Sequence, residues 1–347
     1  MRKFTTLLAV VLGSALLLSL STQLGITLAQ ESASQTFVIQ AGTGQGNYRA
    51  FAPATVQVHP GDTVRWITRG CNIHFADGET QLWLPGEYEG NPVMTTNPAA
   101  FVGTIQSGDT FTGGEANSGY SFGGPPPPFF ELVIDAAVGT YSYYCDTYSG
   151  MVGVIKVVDA ATLIPTPADV TIQGLDEIAA ALGALNQPMQ AAMDAPAQTT
   201  DTGVIVTIGV SSGRAQALDF FPNAVVIEVG QSVTWVVPED LPEPTVGLVN
   251  LPIGASRFEG EQAPFPFTFI PPDGDNPPAI RLAVWEANPP SGSTVTADIK
   301  DIKWGNAMMS PGDSYTLTFT EPGVYRYLNV SMGTISGYVI VQAADAP

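Results

Sequence analysis

Apolar and polar residues alternate with a period of two in short runs, and the runs come in matched pairs. The first half carries Pro53-Ala-Thr-Val56-Gln-Val58-His-Pro-Gly61-Asp-Thr-Val64-Arg-Trp66. The second half carries Pro222-Asn-Ala-Val225-Val-Ile227-Glu-Val-Gly230-Gln-Ser-Val233-Thr-Trp235, each matched position displaced by 169. Later, Gly139-x-Tyr141-x-Tyr143 recurs as Gly323-x-Tyr325-x-Tyr327, and Gly153 recurs as Gly337, all displaced by 184. Alternation around a Pro-Gly or Val-Gly turn is a strand-turn-strand signal. Strands at both ends of each half, closed by long excursions, predict an all-β chain of two tandem Greek-key β-sandwiches. The growth in offset from 169 to 184 assigns the second half the longer insertion.

The joining segment, 161–203, is expected to be a linker with one short helix. Asp176 to Leu185 is rich in Ala and Leu, and Pro188 is expected to break the pattern. The excursions 75–130 and 250–304 hold Gly113–Pro128 and several Pro-Pro steps, which exclude sheet interiors and predict surface loops. The expected organisation is therefore 1–29 leader, 36–160 first sandwich, 161–203 linker, and 204–343 second sandwich without a metal site.

Composition narrows the compartment and the partners. Arg2 and Lys3 precede an apolar stretch from Leu7 to Leu20, too short for a confident membrane span, and Thr27-Leu28-Ala29 offers a small-residue cleavage site. A signal peptide and a secreted, extracellular or cell-envelope product follow, with no membrane span after cleavage. The formal net charge of −20 becomes −22 once the two basic leader residues are removed. Nucleic acid is a poor partner for such a surface, because phosphate binding requires Lys and Arg clusters. A cationic protein fits the charge. The chain has only two histidines, His59 and His74, and two cysteines, Cys71 and Cys145.

The stretch Tyr143-Tyr-Cys145-Asp-Thr-Tyr148-Ser-Gly-Met151-Val-Gly153-Val-Ile-Lys-Val reads as strand, sulfur-bearing loop, strand. It resembles the ligand loop of the cupredoxins, the plastocyanin-like blue-copper family. The resemblance implies cupredoxin-like sandwiches and a type 1 copper site of two imidazoles, a thiolate and an axial thioether. In these terms His74 is the first imidazole, Cys145 the thiolate and Met151 the axial sulfur. Tyr148 stands where the second imidazole belongs. His59 lies at the far end of its strand, about 20 Å away at 3.3 Å per residue, and reads as a solvated turn residue.

Cys71, three residues before His74, falls by the same resemblance at the end of the sandwich that holds Cys145. In an oxidising compartment the two would form a disulfide and consume the thiolate that copper needs. Kept reduced, Cys71, His74, Cys145 and Met151 would make a soft cluster suited to Cu(I). In the second half, the 184 offset puts Asn329, Met332 and Ile335 at the ligand positions, and the His74 region falls near Glu243–Thr245. The expected function is a secreted, non-enzymatic tandem cupredoxin-like protein with a degenerate copper site and no bound cofactor, serving binding or structure. The alternative is a copper-binding protein, for electron transfer or copper handling, using an incomplete His/Cys/Met site. Two histidines are too few for the additional copper centres of the multicopper oxidases.

Overall fold

The computed structural model describes residues 34–42, 47–68, 70–88, 91–120, 128–148, 150–241, 248–251, 267–271, 278–282, 291–296, 309–329 and 335–343. The predicted leader, Glu243–Thr245 and Met332 lie outside the described residues.

Two pairs of β-sheets surround two apolar cores. In the first, one sheet runs Phe51–Ala52, Thr36–Ala41, Asp62–Ile67, Phe130–Ile134, Thr110–Phe111. Its facing sheet runs Thr55–Val58, Val152–Val157, Gly139–Tyr144, His74–Phe75, Ala116–Asn117. The alternation seen in the sequence is the alternation of burial: Val56, Val58, Val64 and Trp66 point into the core, and their neighbours do not.

The same ladder is built again downstream. Thr36–Ala41 lies parallel to Asp62–Ile67, as Gly203–Ser211 does to Ser232–Val236. Thr55–Val58 lies parallel to Val152–Val157, as Ala224–Glu228 does to Ser336–Gln342. Gly139–Tyr144 is antiparallel to Val152–Val157, as Gly323–Asn329 is to Ser336–Gln342.

The centres of the two cores also match. The Tyr143 ring sits edge-on to Trp66 at 5.3 Å and to Phe51 at 4.6 Å. Tyr327 does the same with Trp235 at 5.2 Å and Phe220 at 4.7 Å. Such edge-to-face pairs are favourable beyond their burial. Each tyrosine ring lies across a glycine of the next strand, Gly153 or Gly337, where an added Cβ would enter the ring. Both glycines thus answer a close approach rather than a turn.

The linker departs from expectation. One helix runs Pro167–Asp194, 28 residues, and includes Pro188. Thr166 caps it: its hydroxyl accepts from Asp169 N–H while the Asp169 carboxylate bonds back to Thr166, and Pro167 fills the first helical position. Pro188 forfeits one intrahelical bond, at a cost of about 3 kcal/mol in an isolated helix. Docking offsets that loss. Val170, Gly174 and Leu185 are buried, while Ile178 and Ala181 pack on Tyr48, Ala50 and Ala52. Gly174 approaches the Ala52 carbonyl so closely that a Cβ would lie 2.7 Å from its oxygen. Glu177 accepts from Ala54 N–H at 3.2 Å and faces Arg214 at 3.6 Å, and Ser212 Oγ donates to the Ala181 carbonyl at 3.3 Å. The helix therefore touches strands of both cores. Arg49 N–H to the Arg214 carbonyl (2.8 Å) and Gln216 N–H to the Asn47 carbonyl (2.9 Å) tie them again.

The excursions also differ from the loops expected. Trp83–Tyr88 and Asn91–Thr96 form a hairpin, and Asn91–Thr96 pairs with Ala279–Leu282, itself paired with Phe267–Ile270. Each excursion contributes half of one four-stranded sheet. Pro85 is tolerated because its strand is the sheet's edge.

Gly153→Ala and Gly337→Ala should each lower the unfolding free energy by about 1–3 kcal/mol through overpacking against the tyrosine. Urea unfolding measures this, and equal losses are expected at the two positions.

Candidate functional site

The loop end of the first sandwich gathers the residues singled out in the sequence. The Asp62–Ile67 strand leads into Cys71-Asn72-Ile73, and His74 then pairs with Tyr144 on one side and Asn117 on the other. Because His74 is pinned opposite Tyr144, the residues just after Tyr144 arrive beside its ring. Those residues are Cys145 and Asp146. Cys145 N–H donates to the Met151 carbonyl at 3.1 Å and closes the sulfur-bearing loop.

Cys71 and Cys145 form a disulfide, with Cα atoms 5.5 Å apart. The reduced four-residue sulfur cluster is thereby overturned: the Cys145 sulfur already has its covalent partner. The bridge spans 74 residues and, in the chain-entropy description, removes about 4 kcal/mol of freedom from the unfolded chain.

His74 is 1% exposed, and its ring lies between two carboxylates. Nδ1 is 2.6 Å from Asp146 Oδ2. A carboxylate only accepts, so Nδ1 carries the proton. Nε2 lies 3.5 Å from Glu115 Oε1, whose side chain is 72% exposed. The Asp146 hydrogen bond, opposed by burial and assisted by both negative charges, raises the His74 pKa above its ordinary 6.5.

Asp146, with a fully buried side chain, is the hub. Oδ2 also accepts from Asn72 Nδ2 at 3.0 Å, and Oδ1 accepts from Thr80 N–H at 3.3 Å. Its carbonyl takes Leu82 N–H at 3.2 Å. Asn72 Nδ2 reaches the Ala100 carbonyl (3.2 Å), and Asn117 Nδ2 reaches those of Ala99 (2.8 Å) and Ala100 (3.0 Å). Thr147 Oγ1 donates to Asn72 Oδ1 at 3.2 Å. Buried charge is tolerated when each lone pair is answered in this way.

Tyr148 packs against the core under the Arg49 guanidinium, 4.9 Å above its ring, and burial pulls the Arg49 pKa down to about 10. Met151 is 1% exposed within the core. His59 is not the solvated residue expected. Its side chain is 12% exposed, Nε2 is bonded to the Thr162 carbonyl at 2.9 Å, and its backbone N–H donates to Asp62.

These residues do not fit type 1 copper. The thiolate is spent in the disulfide, both nitrogens of the one imidazole face carboxylates, and a tyrosine under an arginine holds the second imidazole position. Among the described residues no three His, Cys, Asp or Glu side chains converge as a metal cluster. In the second sandwich Asn329 is fully buried. Strand register there sets Val249 opposite Leu328, the equivalent of His74 opposite Tyr144, beyond the Glu243–Thr245 expected.

Asp146, Asn72 and Asn117 were missed in the sequence. Asp146 follows Cys145 directly, but among 32 acids nothing marked it as buried.

No family model matches the chain. Among solved structures the chain is similar to amicyanin from Paracoccus versutus, at 19% identity over 44% of this chain and 88% of that one, with a TM-score of 0.23. A Cu(I) form of an amicyanin mutant aligns at 18% identity over 42% and 87%, also at 0.23. A likeness of this size transfers neither ligand nor activity. The class that the described residues define is an all-β sandwich protein.

Asp146→Ala should cost about 3–5 kcal/mol, because it leaves the His74 Nδ1–H buried without its acceptor and removes one of the acceptors of Asn72. The folded state holds the His74 proton more tightly than the unfolded chain does. Its stabilisation is therefore complete below about pH 6.5 and is lost as pH rises through the raised folded value. Urea midpoints should fall over that interval in the native chain and lose this component in Asp146→Asn.

Proposed function

We propose that this chain is an exported, non-catalytic protein of two cupredoxin-like sandwiches, in which the metal-bearing pole of the first has become a structural plug. One observation carries the reading: the sulfur and the imidazole that would hold copper are both engaged, one by Cys71 and the other by Asp146. The matching strand ladders and the Trp-Tyr-Gly arrangement in each core support descent from a single duplicated unit. A disulfide between the only two cysteines suits an oxidising compartment. Among the described residues no helix is long and apolar enough to cross a membrane.

The non-catalytic part of the reading rests on what His74 faces. An aspartate on Nδ1 is half of a nucleophile-activating arrangement, but a hydroxyl or thiol must then stand at Nε2. Here a carboxylate stands there. The role left is binding or structure. The charge of −20 favours a cationic protein partner, and Asp77 and Glu115 line a cleft of about 300 Å³ beside the plug.

Purified protein mixed with Cu(II) should stay colourless and show no alkylatable thiol by mass unless reduced. Two alkylatable thiols, with near-stoichiometric copper and strong visible charge-transfer absorption, would establish the copper-handling alternative through His74, Cys145 and Met151 instead.

A further inference from the structure

The linker helix is apolar on two sides, and only one side is used. Val170, Gly174 and Leu185 face the fold. Roughly 110° around the helix, at 100° per residue, runs a second stripe: Ile172, Leu175, Ala179 and Leu182, then Met189 and Met193, with Asn186 the single polar member. The steps along it are three, four, three, four, three, four, which is the spacing of a coiled-coil seam sustained over three heptads. Ile172, Leu175 and Met193 are 57%, 54% and 62% exposed, and Leu182 and Met189 are half-buried.

We propose that this seam pairs with the same helix of a second copy of the chain, as a two-helix coiled coil in which Asn186 sets the register. A three-four seam is the spacing at which a second helix packs along its length, and one Asn at an a position is a known device for register between like strands. Charge points to a second copy over a basic helix from elsewhere. A cationic partner needs carboxylates along both edges of the seam. One edge here is Ile178 and Leu185, turned toward the fold, and the other is Asp176, Gly183 and Gln190. Glu177 is already engaged by Ala54 and Arg214. In a chain of net charge −20 the seam itself is uncharged, so two copies meet there without opposing like charges.

The stripe from 172 to 193 is about 32 Å long at 1.5 Å per residue and about 10 Å wide. Two copies thus bury on the order of 600–700 Å², below the roughly 1,200 Å² of a standard stable interface. The dimer is accordingly weak and concentration-dependent.

Sedimentation velocity of the full-length chain, expressed so that any leader processing occurs, tests this between about 10 µM and 1 mM. A reversible monomer–dimer equilibrium is expected. It should tighten with added salt, which screens repulsion between the acidic bodies. Leu175→Glu, at an exposed position, should weaken the dimer by at least about tenfold with unchanged circular dichroism, and Asn186→Leu should tighten it by about tenfold or convert it to a higher oligomer. A monomer at every concentration, a dimer weakened by salt, or a dimer indifferent to either substitution overturns the proposal. Should Leu175→Glu fail to fold, Asn186→Leu decides.

Discussion

Asp146 holds a carboxylate where water hardly reaches, and that charge has to be answered by donors. It is answered from a stretch about seventy residues earlier in the chain: Asn72 and His74 reach Oδ2 and Thr80 N–H reaches Oδ1, while Leu82 N–H holds the backbone carbonyl of the same residue. An unanswered buried charge costs several kcal/mol, so the two stretches cannot drift independently. The disulfide from Cys145 to Cys71 ties the same two loops covalently. The charge and the bridge tie the loop end of the first sandwich together, with the Cys145 sulfur spent in the disulfide and His74 Nδ1 held by Asp146.

The two cores reach the same packing with different loops around them. In each, a tyrosine ring crosses a glycine and meets a tryptophan and a phenylalanine edge-on. Such a centre tolerates little change of volume. Loops at the strand ends are under no such restriction. Asn329 and Val249 stand in the second half at the positions that Cys145 and His74 hold in the first, while Trp235, Tyr327 and Gly337 match Trp66, Tyr143 and Gly153.

What holds the halves together is polar as much as apolar. The linker helix lays Gly174 on the Ala52 carbonyl and offers Glu177 to Ala54 and Arg214. The excursions meet edge to edge through Thr95 with Ala279 and Met94 with Ile280. Contacts with both cores also explain how a helix containing Pro188 persists over its whole length: burial on one face supplies what the missing backbone bond does not.

By itself the sequence determined the strands, the repeated pattern and the shortage of imidazole, because period-two alternation, a fixed offset within each matched block and a residue count are properties of the chain as written. It also placed Cys71 near Cys145 through a family likeness, while leaving their redox state open. The tertiary structure decided the rest. The length of the helix, the shared sheet of the excursions and the bond from His59 to Thr162 follow from contacts between residues remote in sequence, and no local pattern encodes them. Asp146 shows the reason most plainly. One acid among many on a strongly acidic chain looks like surface, and only the convergence of His74, Asn72 and Thr80 on its oxygens makes it the centre of the site.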